Sequence, residues 1–248
     1  MAVAPPPSEG RGIDGHGDRF SRGAAGGASA SFDSPSGRPV ASPAVDARVA
    51  VLASGFGTNL QALLEDDLVG PRVVLVVSDR EGAEALGRAR SRGIEAVFLD
   101  PAAHPTREAF DGALLGLLRD RRIDVVCLAG FMRILTPAVV RAFDGRMLNV
   151  HPSLLPAFPG ARAPRDALAW GVKVTGVTVH LVDEEVDHGP IVLQEVVAVR
   201  EDDDEGSLHA RIQEVEHRLY PRAARLLLAG RLRVEGRRVR ILEPGRVP

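Results

Sequence analysis

Two polar side chains close an apolar stretch near the middle of the chain. Asn149 and His151 stand two positions apart in "MLNVHPSLLPAFPG", and Pro152 follows at once. An amide beside an imidazole offers hydrogen-bond donation and proton transfer. Side chains at i and i+2 of a strand project from the same face. Because proline ends the strand, we interpret the pair as a candidate site beside a cavity. The alternative is a structural pair that bonds nearby loop backbone.

A second candidate lies in "ASGFGTNLQALL". There a turn from Gly55 to Gly57 joins a predicted strand to a helical pattern that opens at Asn59. Backbone N–H groups in such a turn, together with the helix dipole, favour an anion such as phosphate. The stretch lacks the third glycine of a dinucleotide fingerprint and the Gly-Lys-Ser/Thr of a P-loop. A plain tight turn between strand and helix is the alternative.

The acidic stretch "DEEVDHGP" holds a third candidate. We expect residues 183–185 to form a solvated turn between two strands. Asp187 differs because a restricted His-Gly-Pro turn follows it. A carboxylate at this position can favour the cationic form of a facing histidine and orient its ring, so Asp187 is a candidate partner of His151.

The residue pattern does not support a metal site or a covalent serine mechanism. The seven histidines include no H-E-x-x-H motif and no set of cysteine partners, so we predict no metal. His188 beside Asp187 is a weak exception. Ser153 follows His151 but lacks a nucleophile elbow, so it is not predicted to act as a nucleophile.

The elements that must position these residues form a repeating pattern. From Arg48 to His151, apolar strands alternate four times with helical segments, which is typical of a parallel sheet covered on both faces. After Pro152, two strand patterns flank the acidic turn, and Ser207 is predicted to cap a long helix that Pro221 bends or splits. The stretch "LRVEGRRVRI" is predicted to form a hairpin. We therefore predict an α/β fold, with a doubly wound, mostly parallel Rossmann-like sheet and an antiparallel C-terminal part.

Composition divides the chain into three parts. Residues 1–46 are rich in Gly, Pro, Ala and Ser, so we predict a disordered N-terminal tail. Residues 47–240 are predicted to form the catalytic domain, and residues 241–248 a short C-terminal tail. The net charge of −2 argues against a nucleic-acid-binding surface that covers the whole protein, though not against a small basic pocket, and we expect no nucleic-acid partner. The single cysteine, Cys127, is expected to be a buried small hydrophobe. With no apolar signal region and no stretch long enough for a bilayer, we expect a cytoplasmic protein with no membrane partner.

With these residues assembled, the chain from about Arg48 to Arg240 resembles the phosphoribosylglycinamide formyltransferase family of folate-dependent formyltransferases. The stretches "SGFGTNLQAL", "DVVCLAGFMRIL", "LNVHPSLLPAFPG", "GVKVTGVTVHLVDEEVDHGPI" and "EVEHRLYP" occur in that family's order. Asn-x-His-Pro-Ser-Leu-Leu-Pro is specific to folate formyltransferases and their hydrolase relatives. The Gly-x-Gly-Ser/Thr-Asn-Leu loop narrows the choice among them.

The resemblance implies a role for each matching position. The positions that match those holding N1-(5-phospho-D-ribosyl)glycinamide are Gly57, Thr58, Asn59 and Glu216. The positions that match those holding 10-formyltetrahydrofolate are Arg107, Met132, Arg133, Ile134, Leu135, Asn149, Asp183, Val186 and Asp187. The catalytic trio matches Asn149, His151 and Asp187.

The implied activity is transfer of a formyl group from 10-formyltetrahydrofolate to the substrate amine in de novo purine (IMP) biosynthesis. Small molecules are the implied partners, and a monomer or a homodimer is expected. Formyltetrahydrofolate hydrolase and a non-catalytic folate- or nucleotide-binding protein are the alternatives. Many members carry His-x-His after "FPG", whereas this chain has Ala161-Arg162-Ala163-Pro164. We expect this departure to change substrate positioning by the loop and to leave the chemistry intact.

Overall fold

A computed structural model of the chain describes residues 38–39 and 46–243. The strands are β1 (Arg38–Pro39), β2 (Val49–Leu52), β3 (Val73–Ser78), β4 (Glu95–Phe98), β5 (Val125–Leu128), β6 (Met147–His151), β7 (Val174–Leu181), β8 (Ile191–Ala198), β9 (Leu232–Glu235) and β10 (Arg238–Ile241). They form one sheet in the order β1-β9-β10-β8-β7-β6-β5-β2-β3-β4. The predicted N-terminal tail lies outside the described residues except for 38–39 and 46, and the predicted C-terminal tail except for 241–243.

Five neighbouring strands, β4, β3, β2, β5 and β6, run parallel to one another. Strands β2 and β5 are buried at every position, as the uninterrupted apolar pattern predicted. Strand β7 runs antiparallel to both β6 and β8, and β9 and β10 form the predicted hairpin. The predicted α/β fold, with a mostly parallel sheet and an antiparallel C-terminal part, is confirmed.

Helices cover both faces of this sheet. They are α1 (Thr58–Glu65), α2 (Glu84–Ser91), α3 (Arg107–Asp120), α4 (Pro137–Ala142), α5 (Ala163–Trp170) and α6 (Glu205–Leu228). One apolar cluster includes residues of α1, α2 and α6, and the other includes residues of α3 and α4. Cys127 is fully buried among the first cluster, as expected, and burial raises the pKa of its thiol to about 12. No helix among residues 46–243 is both long and apolar enough to cross a membrane.

Helix α6 differs from its prediction at two points. Its N-cap is Asp204, whose side chain accepts from the Ser207 backbone N–H, while the Ser207 side chain accepts from the Asp204 N–H. The prediction that Ser207 is the N-cap is therefore wrong. Ser207 is the third residue of the helix, and it forms a capping box with the N-cap Asp204. The helix continues through Pro221 without splitting. The Tyr220 hydroxyl, fully buried, lies 2.9 Å from the Leu128 carbonyl oxygen and joins α6 to the end of β5.

Candidate active site

A cavity of about 520 Å³ opens at the carboxyl ends of the parallel strands. Four loops surround it: residues 53–57 after β2, 129–136 after β5, 152–162 after β6, and 182–190 between β7 and β8. Ligands of open α/β sheets bind at this edge because the loops there can vary while the strands stay fixed. Asn149 and His151 project from β6 into the cavity, as their spacing predicted.

The Asp187 carboxylate lies against the side chains of both Asn149 and His151. Its Oδ1 lies 3.4 Å from Asn149 Nδ2, and its Oδ2 lies 3.4 Å from His151 Nδ1. The same Oδ2 accepts a hydrogen bond of 2.7 Å from the backbone N–H of Gly160. Asp187 has a φ of 53°, in the left-handed region that few non-glycine residues adopt. Such a conformation persists only where neighbouring contacts hold it, which is common at functional sites.

The His151 ring lies between two oxygen acceptors. Its Nε2 donates to the Phe158 carbonyl oxygen at 2.8 Å, and its Nδ1 faces the Asp187 carboxylate. A ring with protons on both nitrogens satisfies both acceptors, whereas a ring protonated only on Nε2 turns a lone pair towards a carboxylate. The ring is thereby oriented between Asp187 and the Phe158 carbonyl oxygen, and it is buried to 4% exposure.

His180 is a site residue that sequence reasoning missed. It lies directly opposite Asn149 in the β6–β7 ladder. Its Nδ1 donates to the Leu181 carbonyl oxygen at 2.9 Å, so its Nε2 accepts from Asn149 Nδ2 at 3.1 Å. Burial lowers the pKa of His180, with the Asp187 charge partly opposing that effect, so the ring is neutral. The amide of Asn149 is thereby held with its nitrogen towards His180 and Asp187. Its 3.4 Å contact with Asp187 is long for an N–H···O bond, which leaves that N–H free to turn to a ligand.

The loop after β6 is fastened to the antiparallel part of the sheet. The Thr178 hydroxyl accepts from the Leu155 N–H and donates to the Ser153 carbonyl oxygen. Gln194 Nε2 donates to the Leu155 carbonyl oxygen at 2.8 Å. The peptide bond between Leu155 and Pro156 is cis. These bonds satisfy backbone groups that a strand would otherwise pair, and they fix the loop that supplies Phe158 and Gly160 to the site.

The Gly-rich turn forms the other end of the cavity. Gly57 is the N-cap of α1 with a φ of 72°, and a Cβ there would lie 2.9 Å from Ala85. Only glycine fits this turn, because both its conformation and the close approach of α2 exclude a side chain. Asn59 Nδ2 donates to Glu216 Oε2 at 2.8 Å, and burial raises the pKa of Glu216 to about 7. The Asn59 Oδ1 atom is buried without a hydrogen-bond partner among the described residues.

Two further residues of α6 line this end of the cavity. His209 and Gln213 precede Glu216 by seven and three positions, so all three project from one face of the helix. The sequence signal was present in this spacing. The spacing alone remains ambiguous, because it shows that the three side chains share a face of the helix but not whether that face lies against a cavity or against solvent.

The matched family model decides the classification of the chain. Residues 47–224 match the formyl transferase family. The chain belongs to this family. A phosphoribosylglycinamide formyltransferase of Mycobacterium tuberculosis is 46% identical over 208 residues, covering 80% of this chain and 96% of that protein. The trifunctional purine biosynthetic protein adenosine-3 of Drosophila melanogaster is 46% identical over 188 residues. That alignment covers 74% of this chain, which spans only 14% of the longer protein.

Solved formyltransferase structures share the same fold. The crystal structure of glycinamide ribonucleotide transformylase 1 from Symbiobacterium toebii has a TM-score of 0.77 and 54% identity, covering 79% of this chain and 94% of that one. The phosphoribosylglycinamide formyltransferase of Bacillus halodurans has a TM-score of 0.71 and 44% identity, covering 73% and 95%. The structural likeness thus extends over nearly the whole length of both relatives.

The formyltransferase cavity brings together all but one of the predicted site residues. Besides the trio, the lining residues that were predicted are Gly57, Thr58, Asn59, Met132, Arg133, Ile134, Leu135, Asp183, Val186 and Glu216. Arg107 does not line the cavity. Its Nη2 donates to the Leu135 carbonyl oxygen at 2.6 Å, so it holds the 132–135 segment from outside. Arg133 lies with its guanidinium 4.4 Å from the Phe110 ring centroid.

Proposed function

We propose that the protein transfers a formyl group from 10-formyltetrahydrofolate to the amine of N1-(5-phospho-D-ribosyl)glycinamide, giving the N-formyl product and tetrahydrofolate in de novo purine biosynthesis. One observation carries the proposal: a single cavity joins an Asn–His–Asp trio to a Gly-rich turn at a helix N-terminus. The turn suits a phosphate, and the trio suits a developing oxyanion. As part of the same proposal, the reaction needs no metal ion, takes place in the cytoplasm, and is carried out by a monomer or a homodimer.

The two substrates would occupy opposite ends of the cavity. Backbone N–H groups of residues 57–59 would hold the phosphate, with His209 and Gln213 beside it and Glu216 towards the ribose. The exposed apolar side chains Met132 and Ile134 would pack against the faces of the folate rings, whose polar groups lie along the ring edges. Asp183 and Val186, from the loop between β7 and β8, would cover that ring system.

The chemistry would need no nucleophile from the protein. The substrate amine attacks the formyl carbon, a C–N bond forms, and negative charge develops on the formyl oxygen. Asn149 would donate to that oxygen through the N–H that makes the long contact with Asp187. His151, as a cation or proton donor, would also donate to it after one ring nitrogen turns away from its present partner, Asp187 or the Phe158 carbonyl oxygen. Removing one such donor typically costs about 2.7–4 kcal/mol of transition-state stabilisation. The tetrahedral intermediate collapses by breaking the bond to the folate nitrogen. One proton leaves the amine and one reaches that nitrogen, through His151, Asp187 or water.

A two-substrate assay tests the proposal. The protein would be given 10-formyltetrahydrofolate with and without phosphoribosylglycinamide, and both formyl donor loss and N-formyl product would be followed. Donor loss that requires the amine and matches product one for one is the expected result. Donor loss at the same rate without the amine would identify a hydrolase. Binding of both compounds without turnover would identify a non-catalytic binding protein, and neither outcome is compatible with the proposed transfer.

A further inference from the structure

The hairpin of β9 and β10 reaches the loop that carries Asp187. Strand β10 pairs with β8 through Arg238 and Ile191, at the point where β8 leaves this loop. Arg237, at the hairpin turn, consequently lies against His188. Its Nη1 lies 2.9 Å from His188 Nε2, and its Nη2 donates to the His188 carbonyl oxygen at 2.5 Å. No predicted site residue belongs to this hairpin, and it lies beyond the residues that match the family.

These contacts set the orientation of the His188 ring. A guanidinium has only donors, so His188 Nε2 must accept and the ring proton must be on Nδ1. That Nδ1 lies 2.7 Å from Asp183 Oδ2 and donates to it. The other oxygen of Asp183 accepts from the Glu185 N–H at 3.1 Å. A chain of hydrogen bonds therefore runs from Arg237 through His188 to Asp183 and ties the two ends of the loop together.

Asp187 lies inside this bonded segment. Its neighbour His188 is held by Arg237 at both ring and backbone, and the backbone of Gly189 packs so closely on Leu181 that a Cβ there would lie 1.8 Å from the Leu181 carbonyl oxygen. We propose that Arg237 is a positioning residue, through which the C-terminal hairpin fixes the loop 183–188 and hence the carboxylate of Asp187 and the cover of the folate end of the cavity. Only the expected change in KM rests on the proposed formyl transfer, whereas the expected change in hydrogen exchange does not.

Two measurements on the full-length chain test the role of Arg237. In Arg237→Ala, backbone amides of the 183–189 segment should exchange hydrogen faster than in the parent protein, measured without substrate by mass spectrometry. In the same variant, KM for 10-formyltetrahydrofolate should rise about fivefold, the change that follows from losing a net hydrogen bond of ordinary strength. KM for phosphoribosylglycinamide should change less than twofold, because its end of the cavity is built from α1 and α6. Arg237→Lys should recover part of the effect, since a single ammonium can replace one of the two contacts.

The neighbouring arginine supplies a matched control. Arg238→Ala removes an equally exposed arginine one residue away, for which no side-chain bond occurs within the described part of the chain, and should change neither exchange nor KM. Equal exchange rates in the 183–189 segment of Arg237→Ala and Arg238→Ala would overturn the proposal, whatever the reaction is. If the 183–189 segment of Arg237→Ala exchanges faster but the parent protein transfers no formyl group, the positioning role of Arg237 would stand and the proposed function would be rejected. Arg237→Ala should have a smaller effect in the His188→Ala background than in the parent protein, because only its contact with the carbonyl oxygen of residue 188 then remains to be lost, and full additivity would contradict a contact through the His188 ring.

Discussion

Asp187 determines the geometry of the proposed site because one carboxylate meets three groups. It accepts from the Gly160 N–H and faces both His151 and Asn149. We expect Asp187→Asn to lower kcat by about 100-fold or more, since the substitution keeps the size of the side chain but removes the negative charge that faces His151. Steady-state kinetics with both substrates would measure the effect, and circular dichroism would check the fold. Asp202→Asn, on an exposed carboxylate outside the cavity, is the control; a kcat for Asp187→Asn within a few-fold of this control would remove Asp187 from the mechanism.

Glu216 gives the stability of the protein a specific pH dependence. Burial raises its pKa from 4.5 to about 7, with the Asn59 hydrogen bond partly opposing that effect. The folded state therefore keeps the proton to higher pH than the unfolded chain does. The contribution of this proton to the free energy of unfolding is fully present below about pH 4.5. It decreases as the pH rises and is lost once the pH passes about 7.

Glu216→Gln isolates this effect, because the amide mimics the protonated acid. The free energy of unfolding of Glu216→Gln should exceed that of the parent protein by an amount that grows between about pH 4.5 and 7 and then levels off, on the order of 3 kcal/mol. Urea titrations at a series of pH values would measure both curves. Curves that stay parallel over this range would show that Glu216 titrates normally.

At the scale of the element, strand β7 contributes His180 to the site and also fastens the loop after β6 through one hydroxyl. Thr178 satisfies the Leu155 N–H and the Ser153 carbonyl oxygen, both in the loop after β6. Thr178→Val should lower the free energy of unfolding by about 2–4 kcal/mol, because it leaves two buried backbone groups without partners. It should also lower kcat, because the same loop places Phe158 against His151 and Gly160 against Asp187, two members of the proposed catalytic trio. Chemical denaturation and steady-state kinetics of one preparation would measure both effects.

Thr175 offers the matched control on the same strand. It is buried to 2% exposure, yet its hydroxyl has no hydrogen-bond partner among the described residues. Thr175→Val therefore removes a buried polar atom without breaking a bond, and it should leave stability unchanged or raise it. A loss in Thr175→Val as large as that in Thr178→Val would mean that strand packing, and not the loop anchor, explains both results.

What the sequence could predict depended on the range of the interaction. The parallel strands follow from uninterrupted apolar runs, the C-terminal hairpin from a glycine between two short strand patterns, and the shared face of Asn149 and His151 from the two-residue period of a strand. His180 could not be found this way, because its contact with Asn149 depends on the register between β6 and β7. Arg237 was missed for the same reason, since 49 residues separate it from His188. The cap of α6 was misplaced within a stretch of five acidic residues followed by Gly206 and Ser207, because acidic residues and serine all suit a helix N-terminus.

At the scale of the molecule, the site and the core occupy the same stretch of chain. The cavity is lined by residues between Gly55 and Glu216, and the two apolar clusters extend from Val49 to Val239. Residues 47–224 match the family. The segment before residue 46 contributes one described element to this body, the two-residue strand β1, which pairs with β9. Because β9 belongs to the hairpin that carries Arg237, this pairing gives the described residues 38–39 a connection to the site.

Two N-terminal truncations separate these contributions. A chain that starts at Ser36 keeps β1, and a chain that starts at Asp46 lacks it. We expect the first to match the full-length protein in Tm and in kcat/KM within about twofold, since it keeps every lining and core residue. The second should show a small fall in Tm and faster hydrogen exchange in β9, because two backbone pairs at the sheet edge are lost, while kcat/KM falls less than threefold. Calorimetry, hydrogen exchange and the two-substrate assay would measure these quantities.

A tenfold loss of kcat/KM in the chain that starts at Ser36 would show that residues 1–35 take part in function. That result would reject the predicted division of the chain into a tail and a catalytic domain.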